Sequence, residues 1–272
     1  MMNDYLNHSL EPTYNVIKVT PGSFHQGNVQ KFFETAGLQC GINSMVSICF
    51  SMVKKISSWN TDDMDYILET GNECFKKLGY TDYLALDELP SIININEHVF
   101  NLDKFEGIKT IDLNIDNDSR KLLGNSFLEC LTKSQAVICV SNGVMFMIKK
   151  ESNCYYLFDS HSRSAVNGEP CHDGFSALIK FKNFHELTNY IKYVYLMKRE
   201  KRSCLMQIQF YNCIVSESDI IEYKKSLKRN LGKLRKARYD WNIIGTAEHE
   251  NIKKAKRESY IDLKSELRLM II

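Results

Sequence analysis

Two places in the sequence hold residue types that could together carry out thiol chemistry. Cys40 lies in the segment Gly37–Ser44, where a long pattern of apolar residues at helical spacing begins. Asp159 and His161 lie two residues apart at the end of a strand-like run. A thiol nucleophile, an imidazole base and a carboxylate that orients the base are the parts of a cysteine hydrolase. The pattern therefore predicts an enzyme.

A physical reason supports the role predicted for each of these three residues. Cys40 is expected at a helix start, where backbone N–H groups and the helix dipole favour the reactive thiolate. Residues i and i+2 of a strand project to the same face, so Asp159 can hold one imidazole nitrogen of His161 and leave the other for the thiol. We expect His161 to be the base and Asp159 its orienter, if this strand end faces Cys40.

Attack on a carbonyl also requires N–H donors for the developing oxyanion. The backbone N–H of Cys40 is one candidate, and the side-chain amide of Gln26, in a polar loop upstream, is the second. Gln39 competes with Gln26, but a side chain next to the nucleophile usually points elsewhere, so Gln26 is preferred. For Arg163, a salt bridge across the site and a solvated loop position are both open, and the solvated position is favoured.

The elements that must position these residues form an α+β pattern, with helices first and a sheet later. Apolar spacing predicts a buried helix from Cys40 to Lys54 and a second helix from Asp62 to Leu78, capped by Thr61. Turn signals between β-branched runs predict an antiparallel meander in the second half. The meander strands are expected at 136–140, 144–148 and 154–159, other strands at 14–20, 108–113, 177–181 and 205–215, and further helices at 119–133 and 184–196, with 83–100 irregular.

Composition limits the class of protein. A hydrophobic fraction of 44% and a charged fraction of 25% are ordinary for a soluble globular chain. Without a long apolar run or a signal pattern, we expect an intracellular, cytoplasmic protein, with the nucleus as an alternative and no membrane partner. The nine cysteines form no C-x-x-C pair, so most are expected to be buried and unreactive. No phosphate-binding glycine loop is present, and we expect neither a cofactor nor a metal.

Charge divides the chain into two parts. From Ile221 onward there are 14 Lys and Arg against 7 Asp and Glu, which leaves 21 basic and 26 acidic residues before it. We predict a catalytic domain over residues 1–218 and a basic, largely helical extension over 219–272. The extension is expected to be a solvated helix, and a contact with nucleic acid or with an acidic partner stays open.

The site residues also carry a family resemblance. Gln26, the segment Gly37–Ser44 and Phe158–His161 together resemble the herpesvirus tegument deubiquitinase domain, and still more the viral-tegument-like deubiquitinases outside herpesviruses. The resemblance spans about residues 14–215 and implies a papain-like cysteine protease fold, with the nucleophile helix packed on a central antiparallel sheet. It implies hydrolysis after the C-terminal glycine of ubiquitin or polyubiquitin. Cys40 would be the nucleophile, His161 the base, Asp159 the orienter and Gln26 the oxyanion donor.

Two alternatives stay open. Another thiol enzyme is one: a general peptidase, a transglutaminase-like enzyme or a peptidase for another ubiquitin-like modifier. The other is a non-catalytic module that binds ubiquitin or nucleic acid on a protease-like fold.

Overall fold

The computed structural model describes residues 14–112, 128, 131, 134–197, 205–233, 235 and 236. The chain separates into two compact units, Met1–Ser226 and Leu227–Ile272. In the second unit the described residues are helical. The first unit contains one antiparallel sheet with helices on both of its faces, and it holds all the predicted site residues.

The sheet has eight strands, and each neighbouring pair is antiparallel. The order across the sheet is β1-β7-β6-β5-β4-β8-β3-β2, so β4 to β7 form a continuous meander. The predicted meander is therefore confirmed. The strands are β1 (Lys18–Pro21), β2 (Ile92–Ile95), β3 (His98–Asp112), β4 (Ala136–Ser141), β5 (Val144–Glu151), β6 (Cys154–Arg163), β7 (Phe175–Phe181) and β8 (Leu205–Ile214).

The helices of the first unit begin in different ways. Asparagine side chains cap three of them, and at α3 the side chain of Asn60 and that of Asp63 form a reciprocal capping box. The predicted cap Thr61 is therefore wrong by one residue. The second helix, α2, begins after Gln39 without a side-chain cap. The helices are α1 (Val29–Phe32), α2 (Cys40–Val53), α3 (Thr61–Lys77), α4 (Phe184–Lys192) with a π-helical turn at Tyr193–Met197, and α5, which begins at residue 217.

Side chains of the sheet alternate between two cores because successive strand residues point to opposite faces. Phe146 and Ile148 of β5 belong to a buried cluster that includes Leu187 of α4. The opposite face meets α2, and there the ring of Trp59 lies 6.3 Å from that of Phe158. The sheet is thus the middle layer, with α2 and α3 on one side and α4 on the other. The α+β class expected from the sequence is confirmed.

Several expected elements differ from the structure. The region 83–100, expected to be irregular, contains β2 and the start of β3. The strand expected at 14–20 is β1, which begins at Lys18 and ends at Pro21; a proline is tolerated there because β1 is an edge strand. The strand expected at 108–113 is the last part of the longer β3. The helix expected at 119–133 lies almost wholly outside the described residues.

Among the described residues, no single helix combines the length and the apolar character needed to cross a membrane. One bent pair, Val29–Thr35 with Cys40–Val53, meets the requirement by length and composition alone, with 109° between its members. The second member is α2, whose residues are almost all buried within the first unit.

Candidate active site

Cys40 is the first residue of α2, and its side chain is 4% exposed. Because Gln39 supplies no side-chain cap, the backbone N–H groups of the first turn receive no capping acceptor. These N–H groups and the helix dipole favour a negative charge at this end of α2. The backbone N–H of Met145, from the neighbouring strand β5, also hydrogen-bonds to the thiol. Local structure therefore favours a thiolate at Cys40.

His161 and Asp159 lie side by side near the end of β6, as their i and i+2 positions predict. The Nδ1 atom of His161 is 2.7 Å from Oδ1 of Asp159, and the backbone N–H of His161 donates to the same oxygen at 2.8 Å. The imidazole of His161 lies close enough to the thiol of Cys40 for each group to shift the pKa of the other. With Nδ1 held by the carboxylate, Nε2 is the nitrogen left for the thiol. The structure thus brings the three predicted residues together.

The second oxygen of Asp159 is held by two groups that the sequence analysis did not place in the site. Arg163 donates from Nε to Oδ2 at 2.8 Å and also from Nη2, and the hydroxyl of Tyr195 donates to Oδ2 at 2.6 Å. Arg163 is 3% exposed, so the prediction of a solvated arginine is wrong. The strand β6 continues through Arg163, but its pairing with β7 is irregular between Asp159 and Arg163, so simple strand alternation does not predict this contact.

Charges among Cys40, His161, Asp159 and Arg163 shift the pKa of each of the first three residues toward its charged form. Burial raises the pKa of the Asp159 carboxyl, but the charges of Arg163 and His161 outweigh burial and hold it well below its usual range. Burial lowers the pKa of His161, but the Asp159 carboxylate and the Cys40 thiol raise it to about 9. Burial also opposes ionisation of Cys40, yet the hydrogen bond and charge of His161 lower the pKa of that thiol overall. Both shifts favour the charged forms, a thiolate and an imidazolium, over the neutral thiol and imidazole.

Gln26 is buried, and its amide faces the site. Its Nε2 donates to the carbonyl of Gly37 at 3.2 Å, and its Oε1 accepts from Ser160 and Asn43. The competitor Gln39 points elsewhere, since its Nε2 donates to Oγ1 of Thr35 at 3.2 Å and to Oδ1 of Asn72 at 3.0 Å. The hydrogen bonds of Gln26 thus place its amide beside Ser160 of the Asp-x-His segment, whereas those of Gln39 do not.

A cleft of about 720 Å³ opens beside these residues. Cys40, His161 and Gln26 line it, whereas Asp159 is fully buried behind the imidazole. Two chain segments contribute much of its lining, residues 83–86 and the β4–β5 turn at 142–145. A polypeptide carbonyl entering the cleft can thus meet a thiol, an imidazole and an amide together.

The other described cysteines are unlike Cys40. Burial raises the pKa values of Cys49 and Cys139, and that of Cys74 to about 11. Cys171 is exposed, which is an exception to the expected burial. The described cysteines are all free thiols, and within the described residues no group of three or more His, Cys, Asp and Glu side chains is arranged to hold a metal ion.

One known protein family matches most of the chain. The family described as herpesvirus tegument protein, N-terminal conserved region, matches residues 21–212. The chain belongs to this family. The match contains Gln26, Cys40, Asp159 and His161, and it confirms the resemblance seen in the sequence. No curated protein matches the chain.

A solved structure gives an independent comparison for this herpesvirus tegument family chain. The fold of this chain is similar to that of the ubiquitin-specific protease encoded by murine cytomegalovirus tegument protein M48. That structure was solved in complex with a ubiquitin-based suicide substrate. The TM-score is 0.56 and the sequence identity is 15%, over 78% of this chain and 95% of the viral one. At this identity the likeness concerns the fold, and activity has to be argued from the site.

Proposed function

We propose that this protein is a cysteine-type deubiquitinase of papain-like fold, which hydrolyses the bond after the C-terminal glycine of ubiquitin or of a polyubiquitin chain. The observation that supports the proposal most strongly is that Cys40 and His161 line one cleft, with Asp159 hydrogen-bonded to His161 from behind. In a chain of the herpesvirus tegument family, these three residues have the order and the geometry of a thiol protease site. The placement of α2 across the antiparallel sheet suits a papain-like arrangement.

In the proposed reaction, the Cys40 thiolate attacks the carbonyl carbon of the terminal glycine. The oxyanion accepts hydrogen bonds from the backbone N–H of Cys40 and from Nε2 of Gln26. Protonated His161 gives its proton to the departing amine as the carbon–nitrogen bond breaks, which leaves a thioester on Cys40. Neutral His161 then removes a proton from water, whose oxygen attacks the thioester, and the C–S bond breaks to release the carboxylate and the thiolate. Asp159 keeps its charge throughout and holds the imidazole in place.

The remaining expectations are part of the same proposal. We propose an intracellular site of action and ubiquitin as the macromolecular partner, with neither cofactor nor metal in the reaction, because the thiol, imidazole and amide supply every group it uses. The catalytic domain is proposed for residues 1–218 and the basic extension for 219–272. Truncations ending at residue 218 and at residue 226 would locate the boundary: a folded, active form ending at 218 is expected from this division, and a form that folds only when it ends at 226, and so keeps the buried Tyr223, would move the boundary there.

The test is labelling by ubiquitin that carries a thiol-reactive electrophile in place of its C-terminal carboxylate. SUMO- and NEDD8-type probes are used in parallel, with Cys40→Ala as the inactive control. An adduct with ubiquitin, lost in Cys40→Ala, is expected. Cys171→Ala is the matched control, because Cys171 is an exposed thiol that lines the same cleft, and it should leave labelling unchanged.

Other outcomes would change the proposal in defined ways. Labelling by a different modifier would keep the mechanism and replace the substrate. Labelling that survives in Cys40→Ala would remove Cys40 as the nucleophile. No adduct with any probe, from folded wild-type protein, would refute the enzyme and favour a binding module.

A further inference from the structure

The proposed oxyanion donor, Gln26, is held at both ends of its amide. The carbonyl of Gly37 can only accept a hydrogen bond, so the amide end facing it, 3.2 Å away, must be Nε2. The opposite end accepts from the hydroxyl of Ser160 at 2.8 Å and from Nδ2 of Asn43 at 3.3 Å. These partners fix which end of the amide is the donor. Gly37 takes one of the two N–H groups of Nε2, and the proposed reaction uses the other.

Ser160 lies between the two residues of the Asp-x-His pair, and its side chain has a different partner. Asp159 contacts His161, whereas the Ser160 hydroxyl donates to Gln26. The backbone is joined at the same point, since the N–H of Gln26 donates to the carbonyl of Ser160 at 2.8 Å. One strand end therefore supports both the base and the oxyanion donor.

Asn43 reaches Gln26 from the first turn of α2, and α3 makes room for it with a glycine. A Cβ atom on Gly71 would lie 1.9 Å from Oδ1 of Asn43 and 3.2 Å from its Cα atom. A glycine inside a helix costs about 1 kcal/mol relative to alanine. The glycine in the interior of α3 is thus explained by the space that the asparagine side chain occupies.

We infer that Ser160 and Asn43 are positioning residues of the proposed reaction, which act by holding the Gln26 amide with its Nε2 toward the oxyanion. The inference rests on the proposed function and concerns its transition state alone. Neither residue contacts the thiol–imidazole pair in the hydrogen bonds of the described site. Their removal should therefore slow acyl transfer without changing the reactivity of Cys40 toward a reagent that forms no oxyanion.

The experiment is a double-mutant cycle with a ubiquitin substrate that carries a fluorogenic C-terminal amide. Ser160→Ala is expected to lower kcat about tenfold, with KM changed less than twofold, because an oxyanion donor acts in the transition state. On a Gln26→Ala background, Ser160→Ala should have no further effect, since the group it positions is gone. Asn43→Ala should behave in the same way, and it tests the inference separately if Ser160→Ala folds poorly.

Two measurements distinguish this role from a merely structural one. The rate of Cys40 alkylation by iodoacetamide should stay within twofold of wild type in Ser160→Ala, because alkylation at carbon forms no oxyanion. Ser47→Ala is the matched control, since Ser47 is a fully buried serine of α2 that donates to the carbonyl of Ser44, and it should leave kcat unchanged.

The inference fails if Ser160→Ala is fully active, if its effect is the same with and without Gln26, or if alkylation slows in parallel with kcat. Each of these results leaves the proposed function intact as long as Cys40→Ala is inactive. Folded wild-type protein that neither turns over the substrate nor reacts with a ubiquitin probe would overturn the proposed function and this inference together.

Discussion

The guanidinium of Arg163 lies against the carboxylate of Asp159, four residues earlier on β6, and both side chains are buried. This pair occupies one carboxylate oxygen and leaves the other for His161. An unpaired carboxylate would be costly at this depth, because burial disfavours its charged form. Arg163 therefore allows the orienter of the base to remain charged while it is fully shielded from water.

Removal of the Arg163 guanidinium is expected to destabilise the fold strongly. Arg163→Met should lower the free energy of unfolding by about 3–5 kcal/mol, because it removes the main counter-charge of the buried Asp159 carboxylate and leaves His161 as the remaining one. Urea denaturation at pH 7 measures the loss. Tyr195→Phe removes only one neutral donor to the same oxygen and should cost about 1 kcal/mol. Equal losses in the two variants would contradict the assigned importance of the ion pair.

The reactivity of Cys40 should depend on pH in a way that reports His161. The pKa of the thiol is lowered by the imidazolium, so iodoacetamide alkylation of Cys40 should show an inflection below the ordinary cysteine value of about 8.5. In His161→Ala burial remains and the imidazolium is lost, so the inflection should move above that value. Identical pH profiles for wild type and variant would refute the pair.

The same pair should make stability depend on pH. The pKa of His161 in the folded state, about 9, lies above its value in the unfolded chain, about 6.5. The proton on His161 therefore stabilises the fold fully below pH 6.5, and this contribution is lost as pH rises through about 9. Relative to His161→Gln, wild type should be more stable at pH 6, and most of that difference should vanish by pH 9.5. Urea denaturation at both pH values measures it, and a constant difference would contradict the shift.

Two buried glutamines near the nucleophile should respond differently to truncation. Gln26→Ala should lower kcat about 100-fold or more, since it removes a proposed oxyanion donor. Gln39→Ala removes hydrogen bonds to Thr35 and Asn72, so it should reduce stability by about 1–3 kcal/mol while turnover by the folded protein changes little. Ubiquitin-amide hydrolysis and thermal unfolding together separate the two effects. A large loss of kcat in Gln39→Ala alone would reverse the assignment.

Tyr223 should anchor the start of α5 to the rest of the first unit. Its ring is fully buried, 5.5 Å from those of His98 and Phe100, and its hydroxyl is 3.0 Å from that of Tyr66. Tyr223→Ala should cost about 3–5 kcal/mol of unfolding free energy. Tyr223→Phe keeps the ring and should cost about 1 kcal/mol. Near-neutral behaviour of the alanine variant would show that this helix start contributes little to the fold.

Local signals in the sequence identified most of the candidate site. A helix start at Cys40 and the two-residue spacing of Asp159 and His161 depend only on neighbouring residues, and both are seen in the structure. The hydrogen bond from Tyr195 to Asp159 was missed because the two residues are 36 positions apart in the sequence and meet only through the packing of α4 on the sheet. The contact of Arg163 with Asp159 was missed because the pairing of β6 is irregular between these two residues, and no local pattern predicts such an irregularity.

The strand β2 and the first part of β3 were missed because their turn and their pairing leave no local signal in the sequence. The turn between β2 and β3 is formed by Asn96 and Glu97, both with positive φ, of 49° and 70°. A glutamate in this conformation gives no turn signal in a sequence, unlike the Asn142–Gly143 turn between β4 and β5, which was predicted. The long strand β3 pairs with β8, about 100 residues later, and such non-local pairing leaves no local pattern.

The helix that carries Cys40 is the one among α1 to α4 that begins without an asparagine cap. A capping side chain is usually worth about 1 kcal/mol, so the fold forgoes stability at the point where a thiolate and an oxyanion would need the same N–H groups. A side chain at position 39 that capped this helix would occupy the N–H groups that the proposed reaction uses, and it would also lose the hydrogen bonds of Gln39 to Thr35 and Asn72. Searches for heat-resistant variants should therefore find improvements everywhere along the chain more readily than at position 39.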